Sequence, residues 1–288
     1  MPNEIQDQQQ EPRSPESDLH SNPTEGRRRK PVTSSDSQPS PRSEQTVPAI
    51  HLVLQAKGGC GKTVVASLLS QAMKEDGRSV TCLDTDSMNG SFSAIPAMHA
   101  ERVELLDGEN ELNVEAMNAC VSRLLELDGT TVIDSGASSF VPLTVYLHNT
   151  GLFDVLLAKG KRIVVHVPIV GGEAMEETVQ GLVSMVSQFP ASVEFVVWKN
   201  EFFGPLVVDD LKLEETVLFD ECRPRIASIV TLHALKPRFE GATFRKMLSH
   251  KMTFAEALAD ASPFDLISRL WLEGVWSTIK PQIVMAVA

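Results

Sequence analysis

The chain reads as an α/β protein with a doubly wound, mostly parallel sheet flanked by helices. Three observations predict this. From Ala49 onward, short apolar runs alternate with stretches of helical periodicity, the pattern of βαβ units. A glycine-rich turn, Lys57 to Thr63, falls between the first run and the first helical stretch. Two further runs end in aspartate, Asp84 and Asp134, which places carboxylates at the strand ends where open α/β sheets bind ligands.

The elements follow in order. Ile50–Gln55 is the first strand. Val64, Val65, Leu68, Leu69, Ala72 and Met73 then recur at helical spacing, and Gly77 ends that helix. Ser79–Asp84 is the second strand, Arg102–Leu106 a weaker one, and Glu111–Leu127 a helix. Thr130–Asp134 is a strand that runs into a loop, Gly136 to Phe140. Arg162–Pro168 is the next strand, Gly172–Gln188 a helix, Ser192–Lys199 a strand and Arg225–Thr231 the last strand. Helices are expected over Phe239–Ser249, Thr253–Ala259 and Pro263–Ile279. No internal repeat is visible.

The first 48 residues have a different texture. They hold eight of the 17 prolines and none of the aromatics, and their large apolar residues through position 47 are Met1, Ile5, Leu19, Val32 and Val47. Such a segment buries too little surface to offset its backbone entropy, so residues 1–48 are expected to be a disordered tail before a single domain, 49–288. The chain has a net charge of −12, of which −10 belongs to the domain. That balance argues against sequence-independent binding to DNA, whose affinity comes mostly from Lys and Arg on phosphates. Arg27, Arg28, Arg29 and Lys30 in the tail form a local cluster that reads as a solvated charge run. No apolar run reaches the ~18 residues of a membrane span. The start has neither a basic n-region nor an apolar h-region, so a cytoplasmic location is expected. Cys60, Cys82, Cys120 and Cys222 have no metal-site spacing.

Lys57-Gly58-Gly59-Cys60-Gly61-Lys62-Thr63 carries the chemistry. In a strand–turn–helix context, the N–H groups of Gly58, Gly59, Cys60 and Gly61, together with the helix N-terminus, can surround a polyphosphate. Lys62 would reach the terminal phosphates and Thr63 would place its hydroxyl on Mg²⁺. The strict pattern asks for glycine where this chain has Ala56. Cys60, at a helix N-terminus, is expected to have a lowered thiol pKa and to react with alkylating reagents that block the site.

With its second lysine, Lys57, the motif resembles the deviant Walker A sequence of the ParA/MinD class of P-loop ATPases. The resemblance implies ATP and Mg²⁺ as ligands and an ATP-stabilised homodimer in which Lys57 acts on the partner's nucleotide. It also implies that Asp86, in Asp84-Thr85-Asp86, positions the attacking water, with Asp84 structural. Asp134 would hold the Mg²⁺ shell at the end of a Walker B strand, and Ser135 and Gly136 would open a switch segment. Asn200 would read the adenine edge, although Asn also favours such a turn for its own sake. Phe202 and Phe203 could pack on the base, form a partner surface or lie in the core.

Longer stretches are similar to TraL-type conjugal transfer proteins: Ile133 to Leu143 with its Gly-Ala-Ser-Ser-Phe-Val-Pro core, Ser187 to Ala191, Phe195 to Trp198, and Asn200 with the Gly204-Pro205 pair. That resemblance runs from about Ile50 to about Leu270. It implies a slowly hydrolysing ATPase switch serving plasmid conjugation, with conjugation or type IV secretion proteins as partners. Other branches fit less well. The stretch after Asp134 lacks a cluster cysteine, Tyr146 is the only tyrosine, and Pro263–Ile279 carries only Arg269 as a cation, unlike a basic membrane helix. A plasmid-partition ATPase, a nucleotide-binding scaffold without turnover and a small-molecule ligase or kinase stand as rivals.

Overall fold

The computed structural model describes residues 47–288 except Asn110 and Asp209. All but two residues of the expected tail lie outside the described region. β1 (Ala49–Val53) leads through the glycine-rich turn into α1 (Lys62–Glu75), and β2 (Val80–Thr85) and the short β3 (Glu101–Arg102) follow. Next come α2 (Val114–Glu126), β4 (Thr130–Ser135), α3 (Phe140–Asn149), α4 (Leu152–Ala158), β5 (Arg162–Val170), α5 (Met175–Gln188) and β6 (Glu194–Asn200). The chain then forms a small hairpin, β7 (Val207–Val208) with β8 (Leu211–Lys212), followed by α6 (Val217–Cys222) and β9 (Ile226–Leu232). It ends in α7 (Glu240–Ser249), α8 (Phe254–Leu258) and α9 (Leu266–Ala286).

Seven strands form one sheet in the order β3-β2-β4-β1-β5-β6-β9, and every pairing is parallel. β1 is central, so the turn that leaves it is flanked by the ends of β4 and β5. All five residues of β1 are buried, as a strand covered on both faces requires. On one face Ile50, Leu52, Ile133, Val165 and Phe195 pack with α2 to α5; on the other Val53, Val132, Val196 and Trp198 pack with α1, α7, α8 and α9.

The structure departs from the sequence reading in four places, one of them the stretch from 206 to 224, to which the reading assigns no element and which holds β7, β8 and α6. The stretch from 141 to 161, to which periodicity assigns no element, holds α3 and α4. Its apolar residues Leu143, Leu147, Phe153 and Leu156 are buried, as is Phe140 just before it, and Gly151 at φ +63° turns the chain between the helices. The expected strand Arg102–Leu106 shrinks to two paired residues. The last helix does not stop at Ile279 but passes Pro281. Gln282 clamps it there, donating to Thr231 O and Thr278 O and accepting from Thr231 N, while Ile283 is fully buried beyond. Tertiary packing outweighs the local cost of the proline. No single helix among the described residues is long and apolar enough to cross a membrane.

Candidate nucleotide site

The site lies where β1, β2, β4 and β6 end. Gln55, buried at the end of the first strand run, braces the turn: its Nε2 donates to Pro168 O and Thr178 O, and its Oε1 accepts from Ala56 N. The sequence gives no signal for this role beyond a glutamine beside a glycine-rich turn. Ala56 replaces the motif's first glycine without strain, because among the described residues the positive-φ non-glycine positions are His99, Asp210 and Lys251 only. The left-handed turn is made instead by Gly59 (φ +72°) and Gly61 (φ +98°). Gly61 is doubly constrained, since a Cβ there would also lie 3.0 Å from Asn200 Nδ2.

Lys62 is largely buried, and its Nζ donates to Lys57 O at 2.9 Å, so the ammonium is folded back over the turn. Thr63 Oγ1 donates to Asp134 Oδ2 at 2.7 Å, while Asp134 Oδ1 has no partner despite full burial. Burial pushes the Asp134 carboxyl up to about 7; Asp84 and Asp86 push the same way, against the Thr63 hydrogen bond and Lys62. A buried, half-satisfied carboxylate beside a threonine hydroxyl is an incomplete oxygen ligand set of the type Mg²⁺ uses. The residues therefore fit a divalent cation at the phosphate end of the turn.

The two neighbouring aspartates differ. Asp84 is buried and accepts from Asp86 N at 3.0 Å and Ser93 N at 2.7 Å, which makes it a brace for the loop after β2. Asp86 is closer to the surface; its Oδ1 accepts from Met88 N and Asn89 N and its Oδ2 from Asn89 Nδ2. A Cβ at Gly136 would lie 3.0 Å from Asp86 Oδ1, so the loops after β2 and β4 touch and a larger residue there would press on Asp86.

Asn200 caps the turn after β6 by accepting from Phe202 N, and its Nδ2 donates to Cys60 O at 3.1 Å. It thus ties the end of β6 to the phosphate turn. Lys57 points elsewhere: its Nζ lies 2.8 Å from Glu177 Oε2 on α5, with both side chains substantially exposed. Phe202 and Phe203 are exposed rather than buried in the core. With Gly59, Gly61 and Asn200 at one end, they line a cleft of about 560 Å³ that continues to Phe244, Trp271 and Val275. The sequence singles out Phe202 and Phe203 but gives no sign that Phe244 and Trp271 continue the wall.

The expected reactivity of Cys60 is corrected. The residue is 1% exposed, and burial pushes its thiol pKa up, outweighing the opposing pull of Lys62. The helix N-terminus acts on a thiol whose thiolate would be desolvated, and desolvation wins.

A model of the CobQ/CobB/MinD/ParA nucleotide-binding domain matches residues 52–219, and the chain belongs to that family. Within it, the chain groups with the TraL proteins: two from Escherichia coli, each named Protein TraL, are 37% identical over 213 residues, covering 74% of this chain and 88% of theirs. Among solved structures, the cell division ATPase MinD of Pyrococcus furiosus is 14% identical with a TM-score of 0.44, covering 83% of this chain and 99% of that chain. A Cyanothece McdA variant in complex with ATP is 13% identical with a TM-score of 0.43, covering 81% of this chain and 96% of that chain.

Proposed function

We propose that the protein is a Mg²⁺- and ATP-dependent homodimerising switch that assists conjugative DNA transfer and hydrolyses ATP slowly. The observation that carries this reading is the orphaned Asp134 Oδ1, buried beside the Thr63 hydroxyl at the mouth of a turn built to surround phosphates. Thr63 and Asp134 would hold the Mg²⁺, which would offset the charge of the terminal phosphates. Gly58, Gly59, Cys60 and Gly61 offer backbone donors, and Lys62 exchanges Lys57 O for a phosphate oxygen. Asn200 meets the base end. Lys57 is exposed and can leave Glu177 to stabilise charge on the partner's nucleotide, while Asp86 orients water. Slow turnover follows if these two groups reach their places only in the dimer. The Escherichia coli relatives named TraL support the conjugative setting, in which the partners would be transfer or secretion proteins.

A second reading, a scaffold that binds nucleotide without turnover, is favoured by one observation: both Asp86 oxygens already accept bonds within their own turn. Size-exclusion chromatography with light scattering, in ATP–Mg²⁺ and in ADP, tests the switch on wild type, Lys57→Ala and Asp86→Ala. A dimer in ATP alone, formed by wild type and Asp86→Ala, supports it. A monomer throughout, with ATP still bound, sinks the trans role of Lys57. Phosphate release by the wild-type dimer that Asp86→Ala lacks separates the switch from the scaffold.

A further inference from the structure

The cleft beyond Asn200 opens into a surface groove. Phe202 and Phe203 form one wall in an edge-to-face pair, with exposures of 44% and 52%. Leu270 (53% exposed) and Trp271 on α9 form the other wall, and Phe239 packs edge-to-face on Trp271 at 5.7 Å. Ile267 continues the apolar wall one helical turn earlier on α9 and is also 53% exposed. Large apolar side chains clustered this way on a soluble surface mark an interaction site.

The rim has a sign. Residues 236–251 hold five Lys/Arg and one acid, in a domain whose remaining charge is strongly negative. Lys236 and Arg245 line the cleft, and Arg238 lies two residues from Lys236. None of the three belongs to an ion pair among the described residues. Arg245 instead lies over the Phe202 ring at 5.9 Å and donates to Pro237 O. The acids nearby are engaged: Glu240 accepts from Lys236 N, and Glu201 accepts from Ala234 N and pairs with His233.

We propose that this groove docks an acidic amphipathic helix of a partner protein. The length of wall fits: Ile267 to Thr278 on α9 spans about 16 Å, room for two to three turns of a partner helix. The concave apolar floor accepts side chains at i, i+3, i+4 and i+7, and the cationic rim meets their acidic flanks. A second copy of the chain is disfavoured, because a twofold contact would set this rim against itself. A long polyanion would meet the acidic body, whereas a short acidic helix feels only charges within about 8–10 Å. The groove shares its inner end, at Gly61 and Asn200, with the candidate nucleotide site; the partner helix would meet its outer walls, at Phe202, Phe203, Leu270 and Trp271.

Selection of displayed random peptides about 16 residues long on the full chain tests this. Enrichment of net-acidic sequences with helical apolar spacing is expected. Their binding, read by fluorescence polarisation, should weaken about tenfold in Leu270→Asp and roughly threefold in Arg245→Glu. Both side chains are exposed, so the melting temperature of each variant should match wild type. Enrichment of basic or uncharged peptides, no enrichment, or binding that neither substitution changes would overturn the proposal. So would a thymidine oligonucleotide of about 30 residues that binds wild type but not Leu270→Asp, which would assign the face to nucleic acid. A dimer abolished by Leu270→Asp would assign it to a second copy and equally overturn the proposal.

Discussion

The hydroxyl of Thr63 donates to Asp134 Oδ2 at 2.7 Å, fastening the start of α1 to the end of β4 and leaving Asp134 Oδ1 buried with no partner. Without a cation this arrangement is costly, because the carboxylate is desolvated and only half satisfied. Asp134→Asn keeps an acceptor for Thr63 and removes the charge. Above pH 7, where the buried carboxyl ionises, the variant should be about 1–3 kcal/mol more stable than wild type in metal-free buffer, the removed charge outweighing an Nδ2 left in the unpartnered position. It should also lose the extra thermal stabilisation that Mg²⁺ adds to ATP. A variant less stable than wild type when free would show that the carboxylate is supported by something other than a bound cation.

Cys60 supplies a second test. The four cysteines are all buried, and burial pushes the Cys60 thiol up. Native protein at neutral pH should therefore react slowly with a maleimide, far below the rate of the same protein in denaturant. Rapid labelling of Cys60 in the native state would mean that the turn opens spontaneously.

The glycine-rich turn, the aspartates at the strand ends and the order of strands and helices were legible because each depends on local chemistry. A glycine at positive φ, a carboxylate ending an apolar run and a change from a short apolar run to period 3.6 all leave marks within a few residues. Gln55, Glu177 and the α7–α9 side of the groove left none, because their roles come from partners 113 to 123 residues away for Gln55 and from the packing of α7 on α9 for the groove. The reading of Cys60 failed for a related reason: helix position is visible in a sequence, and depth of burial is not. The helix across Pro281 is held by Gln282 bonding Thr231 on β9, a contact of 51 residues' separation.

The Lys57–Glu177 pair sets a competition. An exposed pair of this type is screened by solvent and contributes little to stability, so it restrains Lys57 without locking it. If Lys57 serves the partner's nucleotide, Glu177→Gln frees it and should lower the protein concentration for half-maximal ATP-dependent dimerisation. Lys57→Ala should raise that concentration far more. Analytical ultracentrifugation across a concentration series distinguishes the cases, and a Glu177→Gln variant that dimerises more weakly would make Glu177 part of the interface.

Under α1 and α9, His51, His166 and Trp198 form a buried polar row across β1, β5 and β6. Trp198 Nε1–H can only donate, so His166 Nδ1 accepts it at 2.9 Å, and His166 Nε2–H donates to His51 Nδ1 at 2.9 Å. The proton of His51 then sits on Nε2, which has no partner. Burial is the main cause that lowers both rings, His51 to about 3 and His166 well below its ordinary value, with Arg162 adding to each. Both are neutral in the folded chain at pH 5, whereas the unfolded chain protonates them below about 6.5. The unfolded state therefore binds more protons on these rings, and stability falls with acid by up to about 1.4 kcal/mol per pH unit for each histidine. Asp134 works in the opposite sense, since its folded carboxyl at about 7 holds a proton that the unfolded chain has released above about 4. A difference measurement removes that term. His51→Gln can still accept from His166 Nε2–H, and between pH 6.5 and 5 its stability should depend on pH with a slope smaller than wild type by about one proton, read from urea midpoints at each pH. Equal slopes would mean that His51 gains a partner for its Nε2 that keeps it protonated in the folded chain.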